Sequence, residues 1–117
     1  MTDENNKPVS LGSISPEYRE VEFYYTSSIQ SGLNTLNSYA NQGVISMAEN
    51  QALQDEFNTF ESRYTALQND LKAHPGDERV INAMIEYYQD KLNVITMILN
   101  KLHEVKQQKN KSYEKEI

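Results

Sequence analysis

Two histidines, a scatter of carboxylates and eight tyrosines are the residues of this chain whose types could do chemistry. His74 falls in a turn and His103 near the end of a long helical stretch. In an antiparallel arrangement of helices these positions lie at opposite ends, so the two imidazoles cannot share a metal and read as solvated groups. Groups of carboxylates near one another in sequence include Glu17, Glu20 and Glu22, Asp55 and Glu56, and Glu86 and Asp90. A carboxylate-bridged metal pair in a helical bundle needs Glu-x-x-His on inward faces, and that spacing does not occur. Acid catalysis on a glycosidic bond needs two carboxylates facing each other across a cleft, which a slender bundle does not offer. There is no cysteine, hence no thiolate nucleophile and no cysteine-based zinc site. Gly12, Gly32, Gly43 and Gly76 stand alone rather than in a phosphate-cradling loop, and no serine has a nucleophile-elbow context. The expectation is a non-enzymatic protein with no catalytic residue, cofactor, metal or small-molecule substrate.

The elements that hold these residues are helices. From Asp77 to Val105, Ile81, Met84, Tyr88, Ile95, Leu99 and Leu102 recur at helical steps, and Val80, Tyr87, Val94, Ile98 and Val105 form a second stripe. Together the stripes cover roughly half the circumference, more than one partner helix can bury. A middle helix, beginning between Ser46 and Asn50 and ending near Ala73, carries Leu53, Phe57, Phe60, Tyr64, Leu67 and Leu71 in an unbroken heptad seam of coiled-coil type. Ahead of it, Pro16 to Asn41 places Tyr18, Val21, Tyr25, Ile29, Leu33, Leu36 and Ala40 on one side. Ser15, Pro16 and Glu17 suit its start, and Gly43 suits its end. Gly32 and several serines weaken its propensity, so packing must hold it. His74-Pro75-Gly76-Asp77 is a tight break with Asp77 as the next cap. No alternation of apolar and polar residues persists long enough for a strand.

These readings define an all-α fold, an antiparallel up-down-up bundle of three long helices forming a rod on the order of 40 Å. One stripe of the third helix faces the first helix and the other faces the second. Residues 1–13 read as a flexible leader, 14–108 as the bundle and 109–117 as a polar tail.

Charge narrows the partners. The net charge of −6 argues against nucleic acid, whose backbone demands a basic face. Residues 1–30 carry −3, residues 31–100 carry −5, and the lysine-containing end from residue 101 carries +2, a solvated tail. There is no apolar run long enough to span a membrane and no signal-peptide pattern at Met1. A membrane connection would have to come from a segment outside these residues. Phe23, Tyr24, Tyr39 and Met97 fit the helix seams less well than their neighbours. They are the candidate partner-binding residues, since rigid aromatics make good anchors.

Two segments carry a resemblance. SPEYREVEFYYTSSIQ opens the first helix, and FESRYTALQNDLKAHPGDERVINAMIEYYQDKLNVITMILNKL runs from the second through the third. They resemble the C-terminal, extracytoplasmic helical domain of anti-sigma factors of the Bacteroidetes group, most closely at Arg79-Val80-Ile81-Asn82-Ala83-Met84-Ile85, Tyr87 or Tyr88, and Lys91-Leu92 with Ile98-Leu99. The resemblance implies a regulatory domain on the periplasmic side of a membrane-anchored parent protein, acting through protein contacts. Sigma-factor binding would belong to a segment that is not part of this chain. A cytoplasmic, self-associating structural or adaptor bundle unrelated to transcription is the alternative.

Overall fold

Each helix begins where its capping residues put it. The computed structural model describes residues 9–115, with side chains through residue 109. Helix α1 is Pro16–Asn41, α2 is Met47–Ala73 and α3 is Glu78–Lys115. The Ser15 side chain accepts a hydrogen bond from the Tyr18 amide at 3.2 Å, with Pro16 in the first turn. Ser46 and Glu49 form a reciprocal capping box at the start of α2. Asp77 accepts from the Arg79 amide at 2.9 Å and starts α3. Those amide and guanidinium contacts hold the Asp77 carboxyl below its usual range.

α1 ends in a Schellman turn. The Val44 amide donates to the Tyr39 carbonyl and the Gly43 amide to the Ala40 carbonyl, both at 3.1 Å. Gly43 adopts φ +75°, the left-handed region that a side chain disfavours. The chain then reverses into α2, and His74 to Asp77 reverses it again.

α3 is the shared partner of the other two helices: α1 packs along it and α2 packs along it, while α1 and α2 scarcely meet. α1 runs parallel to α3, with Tyr25 beside Tyr88, Gly32 against Ile95 and Tyr39 against His103. α2 runs the other way, with Phe60 beside Tyr87 and Leu53 near Ile98. The expected division of the two stripes is therefore present. Ile95 and Leu99 face α1, whereas Tyr87 and Ile98 face α2. Tyr88 touches both neighbours, Tyr25 on α1 and Tyr64 on α2.

The core is Ile29, Leu36, Phe60, Leu71, Ile81, Met84, Tyr87, Tyr88, Ile95, Leu102 and also Leu11. The heptad seam of α2 lies against it, with Phe60 and Leu71 buried and Leu53, Phe57, Tyr64 and Leu67 half-buried. No strand occurs among the described residues.

Two boundaries differ from the expectation. Residues 9–13, read as part of a flexible leader, are structured. Leu11–Ser13 make a 3-10 turn, Leu11 is fully buried, and the Gln68 amide donates to the Val9 carbonyl at 3.3 Å. Val9, Leu11 and Ile14 supply enough apolar contact to hold this otherwise polar stretch against the bundle. Residues 1–8 lie outside the described residues. At the other end α3 does not fade after Val105 but continues to Lys115. Lysine and glutamine are good helix formers, and Lys106 ties the extension to the end of α1 by donating to Gln42 Oε1 at 2.7 Å. Of the expected polar tail, 109–115 is helical and 116–117 lie outside the described residues. This extension takes the rod to 67 × 26 × 26 Å, longer than the three-helix core alone requires.

Phe60 fills the α2–α3 interface edge-on to Tyr87, with ring centroids 6.0 Å apart. Phe60→Ala is expected to lower unfolding free energy by about 3–5 kcal/mol, the usual cost of emptying a buried aromatic site. Chemical denaturation followed by helical circular dichroism measures it, and an unchanged midpoint would contradict this register of α2.

Candidate functional site

The four residues singled out as partner-binding do not come together in one patch. Phe23 and Tyr24 are 71% and 61% exposed on α1. They stand level with the Tyr25–Tyr88 stack, and Tyr24 meets the edge of Tyr25 at 5.1 Å. Met97 is 69% exposed on α3. It lies about ten residues further along that helix, an axial separation of about 15 Å. Tyr39 is half-buried at the end of α1. Its hydroxyl is 3.4 Å from His103 Nδ1, and the Lys106 ammonium sits 5.7 Å from its ring centroid. Tyr39 is thus engaged within the bundle, clamping the end of α1 to α3.

The structure gathers other groups instead. Tyr25, Phe60, Tyr64, Tyr87 and Tyr88, drawn from all three helices, form a continuous aromatic layer with centroid separations of 5.2 to 6.3 Å. The Tyr25 and Tyr88 rings are nearly parallel at 4°. Such pairs stabilise beyond their buried area. The polar tips find partners at the edges. Tyr88 donates to Glu22 Oε2 at 3.4 Å, and Lys91 donates to the Tyr87 hydroxyl at 3.4 Å. Arg63 bridges α2 to α3 by pairing with Asp90 at 2.9 Å while its guanidinium lies 5.8 Å from the Tyr87 ring. Both charged groups are well solvated, so the pair adds little stability. Glu86 and Asp90 remain surface groups, as their position off the stripes implies, with Asp90 engaged by Arg63.

His74 sits in the α2–α3 turn and His103 on α3, separated by about 37 Å of helix at 1.5 Å per residue. Among the described residues, no three His, Asp or Glu side chains stand close enough to hold a metal ion. Among the described residues no helix is long and apolar enough to cross a membrane.

A largely apolar hollow of about 430 Å³ lies between the start of α2 and α3. Ile45, Ala52, Leu53, Met97, Ile98 and Leu102 line it, with Glu49 and Lys101 at its margin. Met47 projects from the same end of α2, 91% exposed. Hydrogen bonds from Ser46 hold the Glu49 carboxyl below its usual range, so it stays anionic at the lip. Met97 was visible in the sequence as a residue off both stripes. The rest of the hollow was not, because Ile98 and Leu53 belong to the stripes and read as core. The signal that could have located it is Ser46-Met47-Ala48-Glu49. That capping box fixes the first turn of α2 and so sets the face on which Glu49, Ala52 and Leu53 line the hollow.

Comparison with protein-family models, with curated proteins and with solved structures finds no match for this chain.

Burial pushes the ionisation of the central tyrosines to higher pH. Tyr87 is pushed up from 10.0 to about 12, chiefly by burial and then by the nearby Glu61 charge. Tyr88 is raised further, by burial first and then by Tyr64 and Glu22. Both phenols stay neutral in the folded chain at pH values where they ionise in the unfolded chain, so the unfolded state binds fewer protons as pH climbs. Their contribution to stability is intact below about pH 10 and is lost above it. For Tyr87 that loss runs from 10.0 to about 12. Urea midpoints are expected to drop through this interval, and Tyr87→Phe is expected to flatten the drop. Equal slopes for the two chains would contradict the burial of this hydroxyl.

Proposed function

We propose that this chain is a non-enzymatic regulatory domain of an anti-sigma factor that works through protein–protein contacts on the periplasmic side of a membrane-anchored parent. The Met97 hollow is the observation that carries the contact role. It is largely apolar, it is built on two helices, and the solvent-exposed Met97 stands in it. Methionine adapts its shape to an incoming apolar side chain. Glu49 and Lys101 at the margin give an incoming segment one anionic and one cationic group to orient against. The resemblance over Arg79 to Leu99 supports the regulatory part of the reading; its matching residues read as core and capping positions, so no functional residue is carried over from it.

In this reading the bundle relays rather than reacts. A partner seated in the hollow bears on α3, which also holds α1, so occupancy is felt along the rod. The direct grip on a sigma factor belongs to a segment outside these residues.

Met97→Asp in the parent protein tests the proposal in its native host. Transcription from sigma-dependent promoters is read with a reporter, and protein abundance by immunoblot. The expected result is a change of about tenfold, the effect of losing about 1.4 kcal/mol of binding, at unchanged abundance. Transcription equal to that of the unsubstituted protein would overturn the role of the hollow.

A further inference from the structure

A second surface lies on the other side of α2. Because α1 and α2 each lean on α3 and scarcely meet, a groove runs between them. At one end the chain fills it, with Val9 tied to Gln68 and Leu11 buried. Toward the other end it stays open as a depression of about 320 Å³. Leu33, Leu53 and Phe57 are half-buried there. Its walls carry carboxamides from both helices, Gln30, Asn34 and Asn37 on α1 and Asn50 and Gln54 on α2.

The wall composition is unusual for this protein. From Thr26 to Ala48 there is no charged residue, although 24% of the chain is charged. None of the residues lining the depression is charged. A chain of net charge −6 repels its own copy wherever acidic faces meet. A face that carries no charge, and so desolvates none, lets two copies approach without that cost. Carboxamides both donate and accept, so walls built of them are complementary to themselves. A foreign segment bearing charges would find no counter-charge in this depression; Glu61 and Lys91 line the adjoining one toward the middle of the rod.

We propose that a second copy of this chain covers the groove, α1 and α2 of each copy meeting α1 and α2 of the other about a two-fold axis. The contact is then a four-helix layer with α3 of each copy on the outside. Its apolar centre is Leu33, Leu53 and Phe57, and its polar pairs are carboxamide to carboxamide. This face is separate from the Met97 hollow and does not need the regulatory reading to hold.

Sedimentation equilibrium on the chain tests the proposal. The expected mass is twice the 13.5 kDa of one chain. Asn37→Glu, which sets like charges against each other at the contact, is expected to return the mass to that of one chain with helical circular dichroism retained. Asn93→Glu, exposed on α3 outside the groove, is expected to keep the doubled mass. A single-chain mass for the unsubstituted protein at every concentration would overturn the proposal, as would a doubled mass that survives Asn37→Glu. Should Asn37→Glu fail to fold, the lack of native cysteine offers a second route. Asn34→Cys or Asn37→Cys is expected to form disulfide-linked pairs on mild oxidation, whereas Asn93→Cys is not. Linked pairs from neither groove position would equally count as refutation.

Discussion

The approach of α1 to α3 at Gly32 is the constraint on which the rest of this structure depends. A Cβ at position 32 would lie 2.5 Å from Ile95 Cγ2, closer than side-chain carbons come. Ile95 is fully buried and occupies the space that a side chain at 32 would take. Glycine in a helix interior ordinarily costs about 1 kcal/mol relative to alanine. Here the cost is offset by the contact that it permits. α1 has little else to hold it as a helix: its second half is rich in serine, threonine and asparagine, and among the described residues it makes no ion pair. It is helical because it is pressed onto α3.

The middle of the rod works differently. There the spacing is set by bulk, with five aromatic rings wedged among the three helices. Close contact at Gly32 and the aromatic layer near Tyr87 and Tyr88 together fix how α1 and α2 sit on α3. The same geometry leaves α1 and α2 apart, which opens the groove between them. It also leaves Met97 on an outward face beside the start of α2. The two surface features assigned roles are thus consequences of how α3 is shared.

Much of this was legible from residue order. Ser15-Pro16 and Gly43 mark the ends of α1 because each does something specific to the backbone, a cap, a fixed φ and a left-handed turn. The two stripes of α3 are legible because their period matches the helix and their combined width demands two partners. Leu11 was not, since a lone leucine between serine and glycine has no period to betray it. Nor was the continuation of α3 to Lys115, whose last turns are polar and rest on propensity rather than on an apolar stripe. The candidate contact residues show the sharpest limit. Phe23, Tyr24 and Met97 are exposed as their misfit to the seams implies, but periodicity ranks residues around one helix and says nothing of how far apart two exposed spots lie on different helices. Tyr39 misfits for another reason, because it reaches along the surface to His103. The hollow and the groove depend on interhelical distance, which glycine and tyrosine set at particular points and which no pattern within a single helix encodes.

A double-mutant cycle at Gly32 and Ile95 tests the central claim most directly, read as unfolding free energy from urea denaturation. With Ile95 present, Gly32→Ala should destabilise by about 1–3 kcal/mol, the usual cost of overpacking, despite alanine's better helix propensity. With Ile95→Ala in place, the same substitution should become neutral or stabilise by up to about 1 kcal/mol, as propensity alone dictates. An effect of Gly32→Ala that is the same in both backgrounds would mean that α1 is not seated on α3 through this contact, and the account of the bundle would fail with it.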